Sequence, residues 1–119
     1  MGSRLVIVDD HASFRQSARR LLESDGFVVL AEAADGASAI AQVRAWRPRV
    51  VLLDVLLPDI DGFVVAEVLA NEPDPAVVVL TSSREATDFV TRLARSPAKG
   101  FLHKGDLSGA TLSAIVEAP

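Results

Sequence analysis

Cysteine is absent from the 119 residues, which excludes a disulfide scaffold, a thiolate zinc site and a cysteine nucleophile. Only two histidines are present, too few for a histidine-rich metal site. Aromatic residues make up 5% of the chain, so any core has to be assembled from Val, Leu, Ile and Ala. Lysine is confined to Lys99 and Lys104, against ten arginines. There is no basic run, and the net charge is −4 from 16 acidic and 12 basic side chains. That balance speaks against direct binding of nucleic acid. No apolar run approaches the length of a membrane span, so no membrane association is expected. The first residues, Met1-Gly2-Ser3-Arg4, lack the apolar stretch of a secretory signal, and the expected location is the cytoplasm.

What remains is a globular composition, with 50% hydrophobic and 24% charged residues. A chain of this length holds one domain and buries roughly two-thirds of its unfolded surface, enough for a core without staples. The expectation is a single domain over 1–119 with a structured core of about 4–117. Glu117-Ala118-Pro119 reads as the start of a linker.

Five short apolar runs recur: Leu5-Val6-Ile7-Val8, Val28-Val29-Leu30-Ala31, Val50-Val51-Leu52-Leu53, Val77-Val78-Val79-Leu80 and Gly100-Phe101-Leu102. The first four show no polar alternation, the mark of parallel strands covered on both faces. Helical stripes separate them. Phe14, Ala18, Leu21 and Leu22 form one, and Ala39, Ile40, Val43 and Trp46 a second. Phe63 to Leu69 is a short apolar segment. Ala86, Phe89, Val90, Leu93 and Ala94 form the clearest stripe, before Pro97. Leu112, Ile115 and Val116 predict a last helix, weakened at its start by Gly109. Strand–helix alternation repeated five times predicts right-handed crossovers and a five-stranded parallel sheet with helices on both faces.

Ligands of such sheets bind beyond the carboxyl ends of the strands. Asp9-Asp10 follows the first strand, Asp54 ends the third, Thr81 the fourth, and Lys104 follows the fifth. The second strand offers only Glu32. Each has a bland reading: a solvated turn, a capped strand end, a helix N-cap at Thr81-Ser82-Ser83, a surface lysine. Together they are harder to dismiss. Three carboxylates within about 5 Å repel by roughly 3 kcal/mol per pair at an effective dielectric near 20. A hard divalent cation with oxygen ligands, and Lys104, would offset that repulsion. The combination suits phosphoryl chemistry, in which a metal and an ammonium clamp phosphate oxygens and a carboxylate acts as nucleophile.

The chain resembles the receiver domain of two-component response regulators. The resemblance rests on Val8-Asp9-Asp10-His11, Ala34-Asp35-Gly36, the run from Leu53-Asp54 through Pro58-Asp59-Ile60-Asp61-Gly62, Leu80-Thr81-Ser82, and Lys99-Gly100-Phe101-Leu102-His103-Lys104. Taken in order and at receiver spacing, these pieces cover about Arg4 to Val116. The resemblance implies a flavodoxin-like α/β fold with strand order 2-1-3-4-5. It implies Asp54 as phospho-acceptor and Mg²⁺ held by Asp10, Asp54 and the backbone carbonyl of Leu56, with Asp9 acting mainly through water. Lys104 would pair with Asp54 and then with phosphoryl oxygens, Thr81 would donate its hydroxyl to the phosphoryl group, and Phe101 stands at the aromatic switch position. Gly36 and Gly62 would serve backbone geometry.

Asp-Asp-His, Arg15 and Gly-Phe-Leu-His-Lys are similar to the LuxR/NarL subgroup, in which a helix-turn-helix domain follows the receiver. The implied partners are a sensor histidine kinase, an output domain in the same full-length chain or in another protein, and a second copy in a phosphorylation-dependent homodimer. The sequence departs from the family at Gly105, where many members have proline, at Ser96-Pro97, which predicts an early end to the fourth helix, and at the apolar Leu56. Two other readings stand beside the switch. One is a receiver-like scaffold independent of phosphorylation. The other is a phosphohydrolase of the haloacid dehalogenase type, which needs a second acid where this chain has Leu56.

Overall fold

The structure is a computed structural model and describes residues 2–119. Its elements run β1 (Arg4–Val8), α1 (Ala12–Ser24), β2 (Val28–Ala33), α2 (Gly36–Trp46), β3 (Val50–Asp54), α3 (Gly62–Ala70), β4 (Val77–Ser82), α4 (Val90–Arg95), β5 (Gly100–His103) and α5 (Gly109–Val116). All four strand pairings are parallel, and the sheet order is β2-β1-β3-β4-β5, as expected.

Two cores explain why the strands carry no polar alternation. Leu5, Ile7, Val50, Leu52 and Val79 point to one face, where Ala18 and Leu22 of α1 and Leu112 and Val116 of α5 cover them. Val6, Val8, Val51, Leu53 and Leu80 point to the other, beneath α2 and α3. Successive strand residues thus alternate between two apolar layers rather than between core and water. No described helix is long and apolar enough to cross a membrane.

The fourth helix differs from its sequence pattern. Ala86–Phe89 forms a 3₁₀ turn, and the α-helix covers only Val90–Arg95. No side chain caps either start, and Phe89 leaves helical geometry at φ −128°. Its ring turns inward between Phe63 and Phe101, with centroid separations of 5.9 and 6.1 Å. Packing of that one aromatic overrides the helical period, and Val90, assigned to the apolar stripe, is 62% exposed. The helix does end early, at an extended Ser96, because a residue before proline is pushed out of the α region.

The last helix starts firmly despite Gly109. Ser108 and Thr111 form a reciprocal capping box. Gly109 sits so close to α1 that a Cβ there would lie 2.2 Å from the Asp25 Cβ, and its N–H donates to Asp25 Oδ2 at 2.7 Å. Glycine is present for close approach, and the cap offsets its low helix propensity.

Candidate functional site

The turns after β1, β3 and β5, together with the end of β4, converge at one edge of the sheet. Asp54 and Thr81 are register partners across β3 and β4. Lys104 follows β5 directly and reaches across to both buried acids. Its Nζ lies 2.5 Å from Asp9 Oδ2 and 3.1 Å from Asp54 Oδ2. The remaining oxygens of these acids are held by backbone. Asp9 Oδ1 accepts from the His11 N–H at 2.8 Å, and Asp54 Oδ1 accepts from the Leu56 N–H at 3.0 Å. Asp9 is fully buried and Asp54 is 3% exposed. Asp10 stays at the rim, with its side chain 35% exposed. The His11 Nδ1 stands 3.1 Å from both Asp9 Oδ1 and Asp10 Oδ1.

Burial pushes the Asp54 carboxyl up to about 6; the Asp9 charge adds to the rise, while the Leu56 N–H and Lys104 pull against it. Asp9 goes the other way. Burial raises it, yet Lys104 and the His11 N–H outweigh burial and hold it below the usual carboxylate value. Burial lowers Lys104 in turn, but its bonds to Asp9 and Asp54 leave it raised, so it stays an ammonium. Lys104 and the His11 N–H thus favour the ionised form of Asp9, while burial works toward the protonated form of Asp54.

Thr81 is buried, and its Oγ1 has no hydrogen-bond partner. A buried unpaired hydroxyl costs about 1–2 kcal/mol. Thr81→Val, which keeps the shape and removes the hydroxyl, should therefore stabilise the unmodified protein by about 1 kcal/mol in urea denaturation. A loss of stability instead would mean that the hydroxyl already has a partner. The N-cap reading of this segment does not hold. Ser82 Oγ accepts from the Arg84 N–H at 3.0 Å, in a turn before the 3₁₀ segment.

Of the residues singled out in the sequence, Asp9, Asp10, Asp54, Thr81 and Lys104 share this edge. Leu56 contributes its backbone to the Asp54 carboxylate, and the residue is 50% exposed. Phe101 is half-buried, packed on Phe89. Glu32 is turned away, toward Arg15 and Arg19 of α1.

Other acids of the motifs are structural. Asp59 accepts from the N–H groups of Gly36 and Ala37 at 2.7 and 3.0 Å, fastening the β3–α3 loop to the start of α2. Asp61 caps α3 through the Phe63 N–H and pairs with Arg92 of α4 at 2.6 Å. Gly62 passes so close beneath this loop that a Cβ would meet the Asp54 carbonyl at 2.2 Å. The sequence reading missed Phe14, whose ring faces the Lys104 Nζ at 4.6 Å. Its apolar spacing marked it as core, and no local signal tied it to a lysine 90 positions away.

Asp9, Asp10, His11 and Asp54 offer ligand atoms all within 4.8 Å of one another. Carboxylate oxygens dominate the set, and such donors suit a hard divalent cation. The three acids can hold a metal, and the unpaired Thr81 hydroxyl is free to bond an added oxygen.

A family model described as the response regulator receiver domain matches residues 5–116. A transcriptional regulator of Pseudomonas aeruginosa is 39% identical over 103 residues, which is 86% of this chain and 49% of that protein. The transcriptional regulatory protein NarL of Mycobacterium tuberculosis is 35% identical over 115 residues, 96% of this chain and 53% of that protein. The solved structure of the NarL signal receiver domain from the same organism superimposes with a TM-score of 0.85 at 33% identity, covering 98% of each chain. The chain thus spans about half the length of the curated relatives it matches.

Proposed function

The chain belongs to the response regulator receiver domain family of two-component signalling, and we propose that Asp54 is the residue on which it accepts a phosphoryl group. The family is one of signalling domains rather than metabolic enzymes, and this member is related to NarL. The donor is the phosphohistidine of a sensor histidine kinase. An Asp54 carboxylate oxygen attacks phosphorus. An O–P bond forms, the P–N bond breaks, and the imidazole leaves with that electron pair and takes up a proton. The chain catalyses only this transfer to itself and the slow hydrolysis that ends the signal.

The observation that supports this most is the pairing of a buried Asp54 with Lys104 at 3.1 Å and with the unpartnered hydroxyl of Thr81, its neighbour in register. Lys104 is placed to follow the transferred oxygens, and Thr81 to donate the hydrogen bond that it does not make in the unmodified protein. Asp10, Asp54, the Leu56 carbonyl and, through water, Asp9 are the proposed Mg²⁺ ligands. When bound, the ion offsets negative charge on the phosphoryl oxygens.

Phosphorylation is read out on the face of α4, β5 and α5. Thr81 drawn toward the phosphoryl group loosens the turn above it, and Phe101 moves inward against Phe89. The exposed strip there carries Arg84, Glu85, Asp88 and Arg95, while Arg92 is tied to Asp61 and lies 4.2 Å from the Phe63 ring centroid. The strip suits an output domain or a second copy in a phosphorylation-dependent homodimer. The domain over 1–119, with its core at about 4–117, acts in the cytoplasm, and the output is transcriptional and lies outside these residues.

Intact mass after incubation with acetyl phosphate and Mg²⁺ tests the reading. One phosphoryl adduct is expected, lost in Asp54→Asn and with excess chelator. A yield equal to the untreated parent's in either of those samples would overturn the assignment, and no adduct in the parent would favour a phosphorylation-independent scaffold.

A further inference from the structure

Arg15 lies in the first turns of α1 with only 19% of its side chain exposed. Its guanidinium is used in two directions. Nη1 donates to the backbone carbonyl of Asp9 at 2.7 Å, and Nε donates to Glu32 Oε1 at 3.1 Å. The other oxygen of Glu32 takes Arg19 Nη1 at 2.9 Å. On the opposite side of the same residue, the Asp9 N–H donates to the Ala33 carbonyl at 3.0 Å. The Asp9 backbone is therefore anchored at both ends to adjacent residues of β2, directly through Ala33 and by way of Arg15 through Glu32.

We propose that Arg15, held by Glu32, is a positioning residue that sets the Asp9–Asp10 turn for metal binding. This rests on the reading of the acidic cluster as a Mg²⁺ site. The Asp9 carbonyl belongs to the peptide plane that joins Asp9 to Asp10, so fixing that carbonyl fixes how the two carboxylates are aimed. The planar guanidinium holds its Nη1 and Nε donors in a fixed fork, so the carbonyl and the carboxylate are kept at a set spacing and direction, which a freely rotating ammonium on a flexible stem does not impose. The contact explains two residues that the phosphoryl chemistry leaves unused, Arg15 and the one acid of β2.

Charge and positioning predict opposite signs. As a mere cation near an acidic cluster, Arg15 competes with Mg²⁺, and removing it would tighten binding. As a positioning residue, it aids binding, and removing it weakens it. Calorimetric titration of the metal-free chain with Mg²⁺ decides between them. Arg15→Met should raise Kd about tenfold, the usual cost of losing an outer partner of a metal ligand. Arg19→Met removes the same charge from the same helix without touching Asp9, and should change Kd by less than about twofold. In acetyl phosphate labelling of Arg15→Met, the Mg²⁺ concentration for half-maximal rate should rise about tenfold, while the rate at saturating Mg²⁺ changes by less than about threefold. A Kd that is unchanged or tighter, an equal loss in Arg19→Met, or a fall confined to the saturated rate would each overturn the proposal. If the parent chain binds no Mg²⁺, the metal reading itself fails and takes this one with it.

Discussion

Lys104→Met is expected to destabilise the metal-free protein by about 3–4 kcal/mol at pH 7.5, a large share of the stability of a domain this size. The lysine is the only side-chain cation within 4 Å of either Asp9 or Asp54 among the described residues, apart from His11 at Asp9. Both acids are buried, so its loss leaves two carboxylates facing each other without a counter-charge. Methionine keeps the length of the stem and removes the charge, and with it the Nζ contact over the Phe14 ring. The penalty should shrink at pH 5. There Asp54, whose carboxyl is pushed up to about 6, takes a proton and one of the two stranded charges disappears. Urea denaturation of parent and variant at both pH values, each with and without Mg²⁺, measures this. A loss below about 1 kcal/mol that does not vary with pH would show that the ion pair is not formed in solution.

Much of this site was legible in the sequence because its residues announce themselves locally. Asp9, Asp10, Asp54 and Thr81 each follow or close a run rich in Val and Leu, and Lys104 follows the short apolar Gly100-Phe101-Leu102 segment; in a parallel sheet every such end points the same way. Strand order is different, since nothing in periodicity says which strand pairs with which; it came from resemblance, and the register confirms it. The fourth helix misled because its stripe obeys the helical period while Phe89 gains more by packing between Phe63 and Phe101 than by continuing the turn. Glu32 sits beside the right edge, but its direction depends on α1 presenting Arg15 and Arg19 to it, a tertiary fact. Asp59 is bonded to residues 22 and 23 positions earlier, so its capping of α2 has no local signature. Asp61, two residues before Phe63 at a helix start, does have one.

Asp54→Asn should do the opposite of Lys104→Met and stabilise the metal-free protein at neutral pH. Burial holds the folded carboxyl at about 6, against about 3.9 in an unfolded chain, so the protonated form is favoured by folding. For a group raised in this way the stabilising contribution is complete below the unfolded value and is lost as pH rises through the folded one. Two units correspond to about 3 kcal/mol lost between pH 4 and pH 7. Asparagine resembles the protonated acid and never incurs that loss. It keeps an oxygen for the Leu56 N–H but gives up the bond from Lys104, which offsets about 1 kcal/mol. The net expectation at pH 7.5 is a gain of about 2 kcal/mol, falling below about 1 kcal/mol at pH 4.5. Asp9 contributes with the opposite sign, since its lowered value gives stability that is lost as pH falls; the Lys104 and His11 N–H contacts that lower it most are kept in both proteins. At about 4 °C per kcal/mol the variant should melt about 8 °C above the parent in chelator at pH 7.5. Saturating Mg²⁺ should narrow that gap from the parent's side, because a ligand that binds only the folded state stabilises it by mass action and the variant lacks one of the proposed ligands. A variant that melts at or below the parent in chelator at pH 7.5, or a gain of the same size at pH 4.5, would mean that Asp54 is not held near neutrality by its burial.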